Sequence, residues 1–296
     1  MSTERRNPRS VDIDLFPTER ILKIINTEDA LVANVVAVAV PQIAKVVDLG
    51  VEAIRSGGRI LYVGAGTSGR IGALDAAECP TTFSAPPDWV EAVIAGGSKA
   101  LVQGLEGAED DLDKAAADLK SRKVSSKDLV VGIAASGKTP YTIAALDYSK
   151  SKNARTAAIV AAPDSPMAKV ADVVIETLVG PEIVTGSTRM KAGTAQKMVL
   201  NMLSSGAMTR LGYVYGNLMV HVTPRNSKLA ARSVSILQQA AGVGAEVAAK
   251  ALQVAGNSVP VALVMLQAEV DRREAERALK AAGGHVRRAI AAARSL

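Results

Sequence analysis

The sequence predicts an α/β fold with a mostly parallel sheet, because short β-rich runs alternate with helical segments along most of the chain. Five runs have the length and the β-branched content of buried strands: residues 59–63, 90–95, 129–134, 156–162 and 173–177. Helical segments lie between or after these runs, for example at residues 100–119, 140–150 and 188–211. Strands joined through helices form βαβ crossovers, which place helices on both faces of a sheet. We therefore predict a three-layer αβα domain.

Helical segments are also expected on either side of the sheet domain. The polar first 15 residues are typical of an arm that orders only against something else. Apolar residues recur at largely helical spacing over residues 18–54, with a break expected at Pro41. After residue 226, helices are expected at residues 227–252, 259–266 and 271–282, with spacing typical of a small three-helix bundle. We predict three regions: an N-terminal arm and helical lead-in at 1–53, the sheet domain at 54–225, and a helical C-terminal domain at 226–296.

Composition and charge narrow the choice of partner. The 296 residues are 48% hydrophobic and 22% charged, which is enough for a full core, but only 3% are aromatic. Stacking platforms for nucleic-acid bases are therefore scarce. The net charge of +6 comes from interspersed charges, so it favours an anionic ligand without requiring a polyanion. Nucleic acid is not an expected partner.

Cysteine and histidine are too rare to suggest a metal centre. Cys79 is the only cysteine, so neither an intrachain disulfide nor a thiolate cluster can form, and a reducing cytosol is the natural location. The only histidines are His221 and His285, and no motif places either in a catalytic triad. The polar N-terminus does not resemble a signal peptide, and no run approaches about 18 uninterrupted apolar residues. We expect a cytoplasmic protein without a metal, a cofactor or a membrane span.

The first predicted strand ends in the glycine-rich loop Gly64-Ala-Gly-Thr-Ser-Gly, which leads into a helix. The loop matches the G-x-G-x-x-G of dinucleotide-binding domains, but the second predicted strand ends in Ala95-Gly-Gly and not in the acid that holds a ribose. Thr67 and Ser68 place two hydroxyls at the helix N-terminus, where free N–H groups favour an anion. A phosphate monoester fits there, and helix capping explains the same residues equally well on this loop alone.

The third predicted strand ends in a second loop of the same kind. Ser136, Gly137 and Thr139 follow that strand and precede a helix. Because the carboxyl ends of strands border the ligand crevice of an open α/β sheet, we expect the two loops to converge. Neither a Walker lysine pattern nor metal-binding carboxylates accompany them. This favours binding of a sugar phosphate over phosphoryl transfer.

Longer motifs, spread in order over nearly the whole chain, match one family. They are Thr3-Glu-Arg-Arg-Asn-Pro, Gly64-Ala-Gly-Thr-Ser-Gly-Arg, Leu74-Asp-Ala-Ala-Glu-Cys-Pro, Glu106-Gly-Ala-Glu-Asp, Gly132-Ile-Ala-Ala-Ser-Gly-Lys-Thr-Pro-Tyr, Thr185-Gly-Ser-Thr-Arg-Met-Lys-Ala-Gly-Thr-Ala-Gln-Lys and Tyr215-Gly-Asn-Leu-Met-Val. On these motifs the sequence resembles the SIS-fold etherases that cleave N-acetylmuramic acid 6-phosphate. It departs from them at His221, where many relatives carry an acid, and at Thr81, where the family more often has proline.

The resemblance implies a carbon–oxygen lyase with two catalytic glutamates, Glu78 and Glu109. Composition alone would instead place Glu109 in a solvated acidic helix start at residues 106–113. Elimination of lactate from C3 of the opened sugar needs a base for the C2 proton and an acid for the departing oxygen. Water then adds at C3, giving N-acetylglucosamine 6-phosphate and D-lactate without a cofactor. Our hypothesis is that Glu78, partly buried beside Cys79 and Pro80, holds the proton given to lactate, and that ionised Glu109 is the base.

Other assignments stay open on the sequence. Ser187, Arg189 and Lys191 are candidate ligands for the lactyl carboxylate or the sugar, and a helix cap with exposed basic residues explains them equally well. A sugar-phosphate sensor, as in the related glucokinase regulatory protein, and an aldose–ketose isomerase are the rival functions. Lactate release separates the three. We also expect a homodimer with the active site near the subunit interface, because the polar N-terminal arm suits contact with a second subunit.

Overall fold

The computed structural model describes residues 4–222 and 227–295, and only the backbone of Ser227 and Lys228. The chain divides into two compact units: Met1–Ala77 with Pro87–Ser204, and Glu78–Pro86 with Ser205–Leu296. Two predicted features lie outside the described residues. They are the boundary between residues 225 and 226, and Thr3, the first residue of its motif. The domain limits 1–53, 54–225 and 226–296 therefore stay a prediction.

A five-stranded parallel sheet lies at the centre of the first unit. Its strands are β1 (Ile60–Gly64), β2 (Val90–Ile94), β3 (Leu129–Ile133), β4 (Arg155–Val160) and β5 (Val173–Glu176). They pair in the order β2-β1-β3-β4-β5, and every pairing is parallel. The predicted α/β class with a parallel sheet is confirmed, and each strand ends within two residues of its predicted limits.

In the part of the chain that the structure describes, eight helices precede the strands, connect them or follow the last one. They are α1 (Thr18–Asp29), α2 (Val32–Arg55), α3 (Gly66–Phe83), α4 (Lys99–Val102), α5 (Leu112–Ser121), α6 (Pro140–Ser151), α7 (Pro166–Val170) and α8 (Lys191–Leu211). Single 3-10 turns lie at Ile13–Leu15 and Ala108–Asp110. Helices α3 and α8 begin in the first unit and end in the second.

The helices cover both faces of the sheet, as the predicted three-layer arrangement requires. On one face, Leu61 and Val63 of β1 share a buried cluster with Leu119 of α5 and Leu146 of α6. Side chains alternate along a strand, so Ile60 and Tyr62 point to the opposite face. There a Cβ on Gly50 of α2 would touch Ile60, and a Cβ on Gly72 of α3 would touch Tyr62.

Two predicted helices of the first unit are divided differently in the structure, and a third, predicted at residues 188–211, begins at Lys191. Pro41 lies inside α2, and the break falls at residues 30–31. Pro41 has no N–H to donate to the carbonyl of Ala37, one turn earlier. Both residues are exposed, so water can donate to that carbonyl instead. The predicted helix 100–119 is instead α4, a 3-10 turn and α5, because Gly107 takes a left-handed conformation (φ 78°) between them.

The second unit contains a short hairpin and five helices among the described residues. The elements are β6 (Val214–Tyr215), β7 (Leu218–Met219), α9 (Ser227–Ala241), α10 (Ala245–Val254), α11 (Val259–Ala268), α12 (Arg272–Ala281) and α13 (Val286–Ala293). The expected three-helix bundle is wrong, because Gly242 (φ 70°) ends the predicted helix 227–252 early and α13 was not predicted.

His221 packs inside the second unit and contacts two neighbours. Its ring stacks on Tyr213, with the ring centroids 4.0 Å apart, and its Nε2 lies 3.2 Å from the carbonyl oxygen of Gly284. Burial lowers the pKa of His221 to about 4, against the opposing effect of the Gly284 carbonyl. His221 is therefore neutral at pH 7 and donates Nε2–H to Gly284. These two contacts give His221 a structural role in the second unit.

The N-terminal arm is held by its own chain. Nδ2 of Asn7 donates to Oε2 of Glu28 over 2.8 Å and to the Pro181 carbonyl over 3.2 Å, while Oγ of Ser10 donates to the Ile183 carbonyl over 2.7 Å. Asn7 is 4% exposed and Ser10 is 6% exposed. The arm thus orders against the segment that precedes α8, a contact that the sequence pattern did not predict.

A buried ion pair lies beneath the arm. Nζ of Lys191 is 2.6 Å from Oε2 of Glu28, and Nη1 of Arg9 is 2.9 Å from Oε1 of the same carboxylate. Burial acts to raise the pKa of Glu28, but hydrogen bonds from Lys191 and Asn7 outweigh it and lower that pKa. The carboxylate of Glu182 accepts from the backbone N–H groups of Lys191 (3.0 Å) and Ala192 (2.9 Å), so it caps α8.

The helical lead-in is unusually apolar. An 18-residue window within Thr18–Arg55 has a mean hydropathy of 1.9, and 28% of that window is buried. By length and composition this segment is long and apolar enough to cross a membrane, as the core helices of soluble proteins also can be. One face of α2 packs against β1, β3 and β5 of the sheet. The opposite face exposes 82% of Val38.

We predict that Lys191→Met destabilises the chain by about 3 kcal/mol, because it leaves the buried Glu28 carboxylate without its closest cation. Glu28→Gln in the Lys191→Met background should recover part of that loss. Urea unfolding measures both changes. Lys23→Met is the control, since Lys23 pairs with Glu19 where both side chains are exposed, and such a pair contributes about 0.5 kcal/mol or less. Equal losses for Lys191→Met and Lys23→Met would contradict the prediction.

Candidate functional site

The strand order creates a crevice between the carboxyl ends of β1 and β3. The chain leaves β1 for the edge strand β2, then passes back over β1 to β3 and continues to β4 and β5. At such a reversal the loops after the two central strands turn to opposite faces and leave a ligand crevice between them. Gly64 and Ile133, the last residues of β1 and β3, are direct partners in the sheet. Both predicted phosphate loops start at this point.

The first loop closes tightly against the sheet. The N–H of Gly69 donates to the Ala65 carbonyl over 3.2 Å, and a Cβ on Gly69 would lie 2.7 Å from the Gly64 carbonyl oxygen. Only glycine fits so close to the backbone of the strand. Thr67 and Ser68 lie in the first turn of α3 and are partly buried. The first N–H groups of a helix have no acceptor within it, so they are available to an anion in this loop.

The second loop carries the hydroxyls predicted for it. Oγ of Ser136 accepts from the Lys138 N–H over 3.2 Å, which fixes the turn. Thr139 is the N-cap of α6, and its side chain makes no capping hydrogen bond. The Thr139 hydroxyl is therefore not used to cap α6. The carbonyl of Gly137 accepts from the Met167 N–H over 3.0 Å, which ties the loop to the start of α7.

The candidate ligands before α8 have different surroundings. Ser187 is partly buried and Arg189 is exposed, both on the segment that leads from β5 to α8. Lys191 is only 2% exposed, and its ammonium group pairs with Glu28. The structure therefore does not present Lys191 on the surface as a ligand would require. Its observed contacts hold the start of α8 in place.

One residue of this region was not predicted from the sequence. Oγ of Ser68 in the first loop donates to Oε1 of Gln196, on α8, over 3.0 Å. Gln196 is 2% exposed. The only signal for Gln196 was its place in the motif that begins at Thr185, because nothing in a lone glutamine at a helical position indicates a contact with a distant loop.

A buried carboxyl group connects α3 to the sheet and to α8. Oδ2 of Asp75 accepts from the Tyr62 hydroxyl over 3.1 Å, and its Oδ1 lies 3.3 Å from Oγ of Ser204 and 3.4 Å from Nζ of Lys197. Burial raises the pKa of Asp75, while Lys197 and the two hydroxyls oppose that effect. These contacts fix the helix that carries the first loop, and the sequence pattern did not predict them.

The two predicted catalytic glutamates are both exposed. Glu109 lies in the 3-10 turn Ala108–Asp110, which packs against α6, the helix that follows the second loop. Glu78 lies on α3, in the part that belongs to the second unit. The expectation that Glu78 is partly buried beside Cys79 and Pro80 is wrong, because the residue is exposed. Oγ1 of Thr81, where the family more often has proline, donates to the Glu78 carbonyl over 3.0 Å.

The chemistry available at the crevice is that of anion binding. Hydroxyl groups and helix N–H groups from two adjacent loops are donors that suit a phosphate, and the second loop also contains the exposed Lys138. Among residues 4–222 and 227–295, no group of three or more histidine, cysteine, aspartate or glutamate side chains is placed to hold a metal ion.

Comparison with known proteins places the chain in a family. Residues 42–150 match the glucokinase regulatory protein N-terminal SIS domain, and residues 112–205 match the SIS domain. Over 288 residues the chain is 49% identical to the N-acetylmuramic acid 6-phosphate etherase of Klebsiella aerogenes, covering 97% of this chain and 96% of that protein. The chain belongs to the N-acetylmuramic acid 6-phosphate etherase family. The resemblance stated from the motifs is confirmed.

Other relatives of the etherase family match over the same length. The etherase of Brucella anthropi is 50% identical over 288 residues, covering 97% of this chain and 94% of that one. The etherase of Photorhabdus laumondii is 49% identical over 294 residues, covering 99% of this chain and 98% of that one.

The fold is also similar to that of solved structures. A protein of E. coli CFT073, solved as a complex, is 16% identical and has a TM-score of 0.50, covering 68% of this chain and 97% of that chain. That likeness supports the predicted SIS fold.

We predict that Gly137→Ala both destabilises the chain and weakens sugar-phosphate binding. Gly137 has φ 60°, and a Cβ there would collide with the Ser165 side chain. Gly57→Ala is the matched control, because Gly57 has φ 76° and open space around it. The backbone strain alone costs roughly 1–2 kcal/mol, so urea unfolding should show a loss of that size for Gly57→Ala and a larger one for Gly137→Ala. Calorimetry should show weaker binding of N-acetylglucosamine 6-phosphate in Gly137→Ala only. Equal effects of the two changes would contradict the predicted collision between a Cβ at residue 137 and the Ser165 side chain.

Proposed function

We propose that this chain cleaves the C3 lactyl ether of N-acetylmuramic acid 6-phosphate by elimination and water addition. The products are N-acetylglucosamine 6-phosphate and D-lactate, and the reaction serves amino-sugar catabolism and peptidoglycan recycling. The observation that carries this proposal is identity of about half the residues to named etherases over nearly the whole chain. Two hydroxyl-bearing loops at the crevice of a parallel sheet support a phosphorylated ligand.

The phosphate group is assigned to the two loops at the crevice. Thr67 and Ser68 offer hydroxyls on the first loop, and Ser136, Gly137 and Thr139 offer hydroxyl and backbone groups on the second. The N-termini of α3 and α6 follow these loops, so free N–H groups and helix dipoles favour the dianion. This arrangement leaves the sugar carbons beyond the loops, where side chains from other segments can act on them.

The two glutamates are assigned to proton transfer. Glu109 takes the C2 proton as the base, and Glu78 gives a proton to the oxygen of the departing lactate. The aldehyde of the opened ring makes the C2 proton acidic, so no metal or cofactor has to stabilise the carbanion. Water then adds at C3 of the unsaturated aldehyde. Family membership and the chemistry of the step support these roles.

The lactyl carboxylate is assigned to Ser187 and Arg189. Arg189 is exposed at the end of the segment that leads into α8, so its guanidinium group is available to an anionic ligand. Lys191, two residues further on, was predicted as a third ligand. Its pairing with Glu28 supports an indirect role, in which Lys191 holds the segment that carries Ser187 and Arg189.

The assembly is assigned as a homodimer in the cytoplasm, with the active site near the subunit interface. The outer face of α2 and the neighbouring edge strand β5 form an apolar groove lined by Val35, Val38, Val174 and Leu178, among others. Val38 is 82% exposed and Leu178 is 45% exposed. A contiguous apolar surface of this kind is costly in water and favours association with a second copy.

We predict that Glu78→Gln and Glu109→Gln each lower the turnover number by at least about 100-fold, because each removes a group that transfers a proton. Release of D-lactate from N-acetylmuramic acid 6-phosphate, in normal and oxygen-18 water, measures turnover and shows whether one water oxygen enters the sugar. Binding of N-acetylglucosamine 6-phosphate should change little in both variants. Glu106→Gln is the control for Glu109, since Glu106 is an exposed glutamate three residues earlier.

The outcomes separate the candidate functions. Lactate release with one heavy oxygen in the sugar establishes the etherase reaction. Tight sugar-phosphate binding without lactate release would favour the sensor, the function suggested by the match to the glucokinase regulatory protein domain. Unchanged turnover in either glutamine variant would remove that glutamate from the mechanism.

We predict that Val38→Glu weakens the homodimer, because it places a charge in the exposed apolar groove. Light scattering coupled to gel filtration should give twice the chain mass for the unchanged protein at micromolar concentration, and a smaller mass for Val38→Glu. Val254→Glu is the control, since Val254 is 48% exposed on α10 of the other unit. A monomer for the unchanged chain, or equal loss in both variants, would contradict an interface at this groove.

A further inference from the structure

A buried glutamine side chain contacts the hydroxyl of the first phosphate loop. Oγ of Ser68 donates to Oε1 of Gln196 over 3.0 Å. The other amide atom of Gln196, Nε2, is buried and has no hydrogen-bond partner within the described chain. A buried N–H donor without an acceptor is unfavourable, and an unpaired donor in a folded protein calls for an explanation.

The direction of this hydrogen bond conflicts with phosphate binding by Ser68, the part of the proposed function on which this inference rests. The oxygens of an ionised phosphate monoester accept hydrogen bonds and have no proton to donate. Ser68 has one O–H group. While that group donates to Gln196, Ser68 presents only lone pairs to a phosphate, and these repel its negative oxygens.

A half-turn of the Gln196 amide removes the conflict. The nitrogen and oxygen ends of an amide are nearly equal in size, so their exchange needs no change in the surrounding side chains. After the exchange Nε2–H donates to Oγ of Ser68, and the Ser68 O–H is free to donate to a phosphate oxygen. One N–H of Nε2 then has the acceptor that it lacks in the structure, and Oε1 takes the position that Nε2 leaves.

We propose that Gln196 is a positioning residue for the phosphate group and acts through Ser68. Helix α8 places Gln196 beside the first loop. The Glu182 carboxylate caps the helix start, and a Cβ on Gly193 would lie only 3.7 Å from Cγ2 of Thr67, so α8 and the first loop pack closely. Gln196 lies one turn further along the same helix, and its amide sets the direction of the Ser68 hydroxyl hydrogen.

The test compares three changes by calorimetric binding of inorganic phosphate and of N-acetylglucosamine 6-phosphate. Ser68→Ala should weaken binding by about 10- to 100-fold, the effect of losing one hydrogen bond to a charged group. Gln196→Met removes both amide ends at similar length and should weaken binding by about 3- to 10-fold, because the Ser68 hydroxyl is no longer oriented. Gln196→Glu should weaken it more than Gln196→Met, since a carboxylate keeps accepting from Ser68.

A double change identifies action through Ser68. In the Ser68→Ala background, Gln196→Met should alter affinity by less than about twofold, because the group that Gln196 positions is absent. In turnover of N-acetylmuramic acid 6-phosphate, Gln196→Met should raise KM and leave kcat nearly unchanged. Gln239→Met is the matched control, since Nε2 of Gln239 donates to Oγ of Ser235 over 3.0 Å on exposed α9. It should change neither affinity nor KM.

The binding measurements keep this inference separate from the proposed reaction. If the unchanged chain binds the ligands but releases no lactate, the reaction fails and the binding series still decides the role of Gln196. Equal losses from Gln196→Met with and without Ser68 would overturn the inference and indicate a merely structural residue. Unchanged affinity in Ser68→Ala, or no binding of either ligand by the unchanged chain, would also overturn it.

Discussion

The order of the five parallel strands is the constraint on which the candidate site depends. Because β2 lies on one side of β1 and β3 on the other, the crossovers reverse direction and the carboxyl ends of β1 and β3 are left open side by side. Their last residues are partners in the sheet, so the two loops start about 5 Å apart, the spacing of neighbouring strands. Small residues then let both loops turn sharply at this edge. The position of the hydroxyls therefore follows from the topology of the sheet.

A second constraint comes from buried charge. Glu28 is almost fully buried, so it must keep hydrogen bonds and cations close to it. Asn7, Arg9 and Lys191 supply them, and together they join the N-terminal arm, α1 and the start of α8. Helix α8 also carries Gln196, whose side chain contacts Ser68 of the first loop. The ion pair and the contact with the first loop are therefore made by the same helix.

The features that the sequence predicted correctly depend on residues close together in the chain. The contacts that it did not predict join residues far apart in the chain. Short β-branched runs and hydroxyl-glycine loops are local patterns, so the five strands and both loops were found. Pro41 was misread because its effect depends on exposure of the preceding turn, which no local pattern reports. The contacts of Ser68 with Gln196 and of Glu28 with Lys191 join residues 128 and 163 positions apart. A single sequence, read without an alignment, gives no signal for such pairs. The sequence therefore predicted Lys191 as a ligand on the surface.

The exposure of both glutamates bears on where the proposed proton transfers take place. Two groups that move protons to and from one sugar must be within reach of it, and exposed carboxyl groups are open to a ligand without a change in the core. Glu109 lies in the 3-10 turn that packs against α6, and α6 follows the second loop. Glu78 lies on α3, which follows the first loop. In the proposed reaction each glutamate is therefore carried by an element attached to one of the two phosphate loops.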